Sequence, residues 1–134
     1  KDAATEDDDK LDWSWPTHGK VVAEFSDTSS AKGVDISGKS GQPVLAAAAG
    51  KVVYSGSGLR GYGKLIIIKH NKTYLSAYAH NSQILIKEGQ SIAKGQKIAE
   101  MGDSDADRVK LHFEIRRFGK PVDPMKYLSA DGSA

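Results

Sequence analysis

Four histidines, His18, His70, His80 and His112, are the only side chains here that can offer a transition metal a nitrogen ligand, and no cysteine accompanies them. Imidazole serves both as a zinc ligand and as a general acid or base near neutral pH. The lack of cysteine removes disulfides, thiolate metal sites and cysteine nucleophiles together. Any catalytic metal centre must therefore draw on four imidazoles and the carboxylates. Two of the four fall in strictly alternating runs. In KLHFEIRR (110–117), Lys110, His112, Glu114 and Arg116 share one face of an extended chain, and Leu111, Phe113 and Ile115 share the other. The apolar set belongs to the core, so His112 points away from it. In TYLSAYAH (73–80), Tyr74, Ser76, Tyr78 and His80 share a face opposite Leu75, Ala77 and Ala79. Alternation thus places both His80 and His112 on polar faces, where together they could line a groove. His18, in PTHGK, and His70, at a strand end, stand apart.

Other motifs lead nowhere. GSGLRG (56–61) has the spacing of a dinucleotide-binding loop, but YGKLIIIKH follows it, a strand where a helix must hold the pyrophosphate. DSDAD (103–107) begins like a calcium loop with Glu114 at the twelfth position. Position six is Arg108 where a glycine is needed, and strands flank it, so a solvated acidic loop is expected. The sequon NKT (71–73) marks an exposed turn. Lysines and arginines are scattered rather than clustered with aromatics, which favours a solvated mixed surface over a site for nucleic acid or for an anionic polymer such as cell-wall glycan.

The elements that must position these residues are short strands. KVVAEF (20–25), PVLAA (43–47), GKVVYS (50–55), KLIIIKH (64–70), TYLSAYAH (73–80), QILI (83–86), KIAEM (97–101) and KLHFEIRR (110–117) are separated by Gly, Asn, Asp and Ser clusters. Asn71-Lys72 and FGK (118–120) read as hairpin turns, and DPMKYL (123–128) allows one helical turn. A repeat, GQPV (41–44), GQSI (89–92) and GQKI (95–98), places Gly-Gln before a strand three times. The fold class expected is all-β, a small Gly-rich sandwich or barrel-sandwich with little helix. At 134 residues, 39% hydrophobic and 27% charged, the chain suits one soluble domain, and no apolar run approaches the ~20 residues of a membrane span. The net charge of +2 divides unevenly. Residues 1–12 (KDAATEDDDKLD) carry −4 and read as a disordered acidic tail or linker remnant, leaving +6 on the rest. Residues 13–130 form the expected domain and 131–134 a C-terminal tail. Starting with Lys, the chain is expected to be a fragment lacking any signal peptide or lipid anchor.

The segments KGVDISGKSGQPVLAAAAGKVVYSG, YGKLIIIKHNKTYLSAYAHN, IKEGQSIAKGQKIAEMGDS and LHFEIRRFGKPVDPMKYL together resemble the LytM-type (lysostaphin-like) zinc endopeptidase domain over about residues 13–129. The resemblance implies the fold of that family and a site built from H-x-x-x-D, a tyrosine-x-histidine and H-x-H-F. Zinc would be held by the first histidine, the aspartate and the second histidine of the last motif. Carried over residue by residue, the set is incomplete. Asp35 matches the aspartate, but Ala31 stands where the first histidine belongs. Tyr78-Ala79-His80 keeps the tyrosine-x-histidine, whose histidine is catalytic rather than a ligand. His112 keeps the second histidine of the last motif, and Lys110 replaces the first. An ammonium there would repel a dication and is expected to pair with Asp35 instead.

The resemblance is strongest to degenerate members of that family, lipoprotein activators of periplasmic N-acetylmuramyl-L-alanine amidases. It implies a protein without catalytic residues, metal or cofactor, on the periplasmic face of the outer membrane at the division septum. Its partners would be a periplasmic cell-wall amidase and, as a further candidate, peptidoglycan, with no nucleic acid. The expected contact groove holds Asp35, Arg60, Tyr62, Tyr78, His80, Lys110 and His112, Arg60 and Tyr62 coming from the Gly-rich loop. Three other readings stand beside this one. They are an active zinc endopeptidase with unorthodox ligands, a peptidoglycan-binding module without activator role, and a biotin- or lipoyl-type carrier. The carrier's hairpin lysine would be Lys72, but Asn71 and Thr73 flank it where acidic residues or methionine belong.

Overall fold

β-Branched and aromatic residues dominate the regular segments, and nearly all of these are strands. The computed structural model describes residues 11–26 and 31–128. Most of the expected acidic tail and the expected C-terminal tail lie outside the described residues. In chain order the strands are β1 (Val21–Ala23), β2 (Val34–Ser37), β3 (Pro43–Leu45), β4 (Gly50–Gly56), β5 (Lys64–Lys69), β6 (Tyr74–Ile84), β7 (Ser91–Ile92), β8 (Lys97–Met101), β9 (Lys110–Arg117) and β10 (Lys120–Val122). A 3-10 turn, Pro124–Lys126, follows, its N–H of Met125 capped by the Asp123 carboxylate. The fold is all-β, as the alternating runs predict. Strands β2, β7 and β10 are additional to those read from the sequence, and QILI begins inside β6 rather than forming a strand of its own.

All pairings are antiparallel, in the order β1-β2-β9-β6-β5-β4-β7, with β10 on β9, and β8 between β3 and β6. The eleven-residue β6 serves two layers. Its first half pairs with β5 and β9; its second half pairs with β8. The change occurs at His80, whose backbone is left-handed at φ 69°. The main core is closed by Val34, Ile36, Val52, Ile66, Ile68, Ile98, Met101, Leu111, Phe113 and Ile115, all essentially inaccessible. The alanine run Ala46–Ala48 lies inside it, where larger side chains would overfill the space between layers.

The Gly-Gln repeat has a physical cause. In KSGQ (39–42), KEGQ (87–90) and AKGQ (93–96) the glutamine N–H donates to the carbonyl three residues back, closing a turn: Gln42 to Lys39, Gln90 to Lys87 and Gln96 to Ala93. The glycine at the third position has φ of 88°, 89° or 83°, the left-handed value a type II turn requires there. Each glutamine side chain then accepts from the N–H of the first residue, at 3.0, 3.2 and 3.0 Å. Each glycine N–H also donates across the structure, to Met101, Val52 and Ala46 respectively. The motif is a self-capping turn used three times.

Candidate functional site

Register decides which side chains meet. Strands β2 and β9 set Asp35 directly opposite His112, and Ser37 opposite Lys110. Directly opposed residues of an antiparallel pair share a face, so Asp35 and His112 lie side by side on the surface away from the core. On the other flank β6 sets Ala79 opposite His112 and Ala77 opposite Glu114. These small side chains leave space that Tyr62 covers from the 57–63 loop, its ring 6.0 Å from that of His112.

The result is a row of alternating charge. Lys110 Nζ lies 3.0 Å from Asp35 Oδ2, and Asp35 Oδ1 lies 2.7 Å from His112 Nδ1. His112 Nε2 lies 2.8 Å from Glu114 Oε2, and Arg116 reaches Glu114 Oε1 at 2.7 Å. The Tyr62 hydroxyl donates to Glu114 Oε2 at 2.9 Å. Burial alone would push His112 down, but hydrogen bonds to Asp35 and Glu114, with their charges, outweigh it and raise the imidazole to about 9. At neutral pH the ring is an imidazolium with both N–H groups donating to carboxylates. Burial pushes Asp35 and Glu114 upward, and their hydrogen bonds to His112, with Lys110 and Arg116, more than reverse this and hold both below the ordinary range.

His80 faces the same space from β6, its ring centroid 6.1 Å from that of His112. Its Nδ1 donates to the Ser104 carbonyl at 2.8 Å, which leaves Nε2 unprotonated in the neutral ring. Burial lowers its proton affinity, and the nearby His112 and Lys110 charges lower it further. The 103–108 loop that holds His80 also holds the loop carrying Tyr62. Gly61 N–H donates to Asp105 Oδ2 at 2.6 Å, and Lys64 N–H donates to Ser104 Oγ at 3.0 Å. The segments that resembled dinucleotide and calcium loops are the two halves of one clamp.

Asp35, Ala31, Tyr62, His80, Lys110 and His112 line one open groove of about 380 Å³ with Glu24, Lys32 and Glu114. The expected pairing of Lys110 with Asp35 is present. Two expected groove residues are elsewhere. Tyr78 is fully buried on the opposite face, paired in register with Phe113. It could not share a face with His80, because the left-handed backbone at His80 interrupts the alternation that joined them on paper. Its hydroxyl accepts from Ala47 N–H at 2.9 Å, and burial pushes its ionisation up to about 12. Arg60 is exposed beside the groove, while its neighbours Gly61 and Tyr62 line it. Glu114 and Arg116 were not singled out as site residues, although alternation already placed both on the face of His112. Of the other two histidines, His18 is exposed. His70 is half-buried, its Nδ1 donating to the Ala49 carbonyl at 2.7 Å and its Nε2 lying 2.7 Å from Ser76 Oγ.

Among the described residues no group of three or more His, Asp, Glu or Cys side chains converges to hold a metal ion. A second groove of about 290 Å³ adjoins the first through Tyr62 and Glu114, and it is lined by Leu59, Leu65, Ile67 and Leu75.

Comparison with known proteins places this arrangement. The Peptidase family M23 profile matches residues 29–124. The chain is 62% identical over 117 residues to the "Lipoprotein NlpD/LppB homolog" of Pseudomonas aeruginosa, covering 87% of this chain and 39% of that protein. To the "Murein hydrolase activator NlpD" of Escherichia coli it is 55% identical over 117 residues, covering 87% of this chain and 31% of that one. The chain thus spans less than two-fifths of the length of these relatives. In structure it superposes on a zinc-containing peptidase from Vibrio cholerae with a TM-score of 0.79 and 29% identity, over 83% of this chain and 38% of that one. A family match across most of the length, with the fold and close relatives in agreement, means that the chain belongs to peptidase family M23.

Proposed function

We propose that the domain is a non-catalytic M23 member that activates a periplasmic cell-wall amidase through the groove of Asp35, Tyr62, His80, Lys110 and His112, with Arg60 at its rim. The observation that carries this reading is the state of His112. A zinc ligand must present a nitrogen lone pair, and both His112 nitrogens donate to carboxylates. The second surviving ligand position, Asp35, is held by an ammonium at 3.0 Å. Ala31, at the position of the third, has no donor side chain. The donor set does not suit zinc, and Lys110 and the His112 imidazolium supply the positive charge that Asp35 and Glu114 require.

A groove freed from catalysis can bind a partner. Activation requires that it bind the amidase's open state more tightly than its closed state, since equal affinity shifts nothing. The names of the relatives, a murein hydrolase activator and a lipoprotein, support this role; a place on the periplasmic face of the outer membrane at the division septum is part of the same proposal. Peptidoglycan is a second candidate partner.

The test is amidase activity on purified sacculi with and without the domain. Charge reversal at Lys110 or Arg60 should reduce stimulation about tenfold. Arg60 is exposed, so Arg60→Glu separates lost contact from lost folding; melting temperature checks Lys110→Glu. A domain that stimulates no amidase of its host would overturn the reading, as would stoichiometric zinc with EDTA-sensitive hydrolysis of sacculi.

A further inference from the structure

At the opposite end of β9 from the groove, the β9–β10 hairpin turns on Phe118 and Gly119. Phe118 has a left-handed backbone, φ 52°, and its side chain is 65% exposed. A bulky residue is strained in that conformation, where Asn or Gly would sit at ease. The residue stays mostly exposed in return, so the core does not call for a phenylalanine there. Locally unfavourable residues that the fold does not need point to a contact outside it.

The surroundings state the chemistry of that contact. The Arg117 guanidinium stands 5.0 Å over the Phe118 ring. Lys120 is the cross-strand partner of Arg117. Phe118 N–H donates to the Thr73 carbonyl at 2.8 Å, which brings the β5–β6 turn and its exposed Lys72 alongside. Lys126 shares a shallow groove with Arg117. The acid of that groove, Asp123, caps the 3-10 turn. Among the described residues this end of the sheet therefore carries Arg117 over a protruding apolar ring, Lys72 and Lys120 on the adjoining turn and strand, and Lys126 across a groove from Arg117.

We infer that this tip is an interfacial contact for an anionic lipid surface, with Phe118 entering the headgroup layer and Lys72, Arg117, Lys120 and Lys126 meeting lipid phosphates. Cell-wall glycan offers carboxylates to the same cations but no apolar layer for a protruding ring. One ring and four cations give weak, reversible binding, enough to orient the domain on a bilayer rather than to anchor it. The contact lies five residues along β9 from His112, about 17 Å away, so it leaves the groove open to a partner.

The experiment is co-sedimentation of the chain with vesicles of mixed phosphatidylcholine and phosphatidylglycerol, against vesicles of phosphatidylcholine alone. Wild type should pellet with the anionic vesicles only, and less as salt is added. Phe118→Asn suits the left-handed turn and should keep or raise the melting temperature, yet weaken partition about tenfold. Lys120→Glu should weaken it at least about fivefold. Equal binding to neutral vesicles, undiminished binding by Phe118→Asn, or pelleting with purified sacculi but not with vesicles would each overturn the inference.

Discussion

A carboxylate that is 1% exposed persists as an anion only when donors meet it on every side, and Glu114 is met by His112, Tyr62 and Arg116. Its two oxygens join both walls of the groove, β9 and the Tyr62 loop. Glu114→Gln keeps the shape but turns one oxygen into an amide donor facing a donor, and it leaves the imidazolium with one anion instead of two. The expected loss is about 3 kcal/mol, read as a lowered urea midpoint with an unchanged slope. A second prediction tests the metal at the same scale. Ala31→His combined with Lys110→His supplies imidazoles at the two positions proposed to have lost them and removes the ammonium from Asp35. The double variant should retain zinc after dialysis while wild type retains none. Zinc retained by wild type would contradict the reading of His112 as an imidazolium.

Strands and turns explain which parts of this arrangement were legible in the sequence. The face of β9 could be read directly, because Leu111, Phe113 and Ile115 alternate without interruption with Lys110, His112, Glu114 and Arg116. The same rule failed on β6. It put Tyr78 beside His80, but one left-handed residue transfers the strand from one layer to the other, and alternation carries no mark of that. Tyr62 was placed by its loop's composition alone; the clamp between that loop and Ser104 joins residues about forty apart, which no local pattern encodes. Strand β2 went unread because VDIS is only four residues long, although it carries Asp35. The turns give a graded test. Gly95 has φ 83° and a methyl group there would meet nothing within 4 Å, so Gly95→Ala should cost only the backbone strain, about 1 kcal/mol. Gly63 has φ 62° and its added carbon would lie 2.2 Å from the Ser104 carbonyl oxygen. Gly63→Ala should cost clearly more in a denaturant titration and also open the clamp, weakening amidase stimulation. Equal costs at the two glycines would mean that the loops are not locked together.

Across the whole molecule, the histidines set opposing pH dependences. His112 is raised from 6.5 to about 9, so the folded state binds its proton more tightly than the unfolded chain does. Its contribution is fully present below pH 6.5 and is lost as pH rises through 9, amounting to about 3 kcal/mol for a shift of this size. His70 and His80 are lowered, first by burial in each case. They contribute the opposite way, with stability present above 6.5 and lost as pH falls, when the unfolded chain takes protons that the folded one resists. His70 resists because burial penalises its charged form, and this outweighs the bond to the Ala49 carbonyl, which favours the proton. Ser76 Oγ, beside His70 Nε2, also lies 2.8 Å from the buried Tyr78 hydroxyl. Asp35 and Glu114, both lowered, add a further loss below about pH 4. Melting temperature should therefore peak near pH 6.5 and fall by about 10 °C toward pH 9.5. The two limbs have separate sources, so His70→Asn should make the acid side shallower, His80 and the carboxylates still contributing, and leave the alkaline fall in place. A curve level from pH 6.5 to 9.5 would show that His112 is not held between two carboxylates, and the proposal that the charge row replaces a metal site would lose its support.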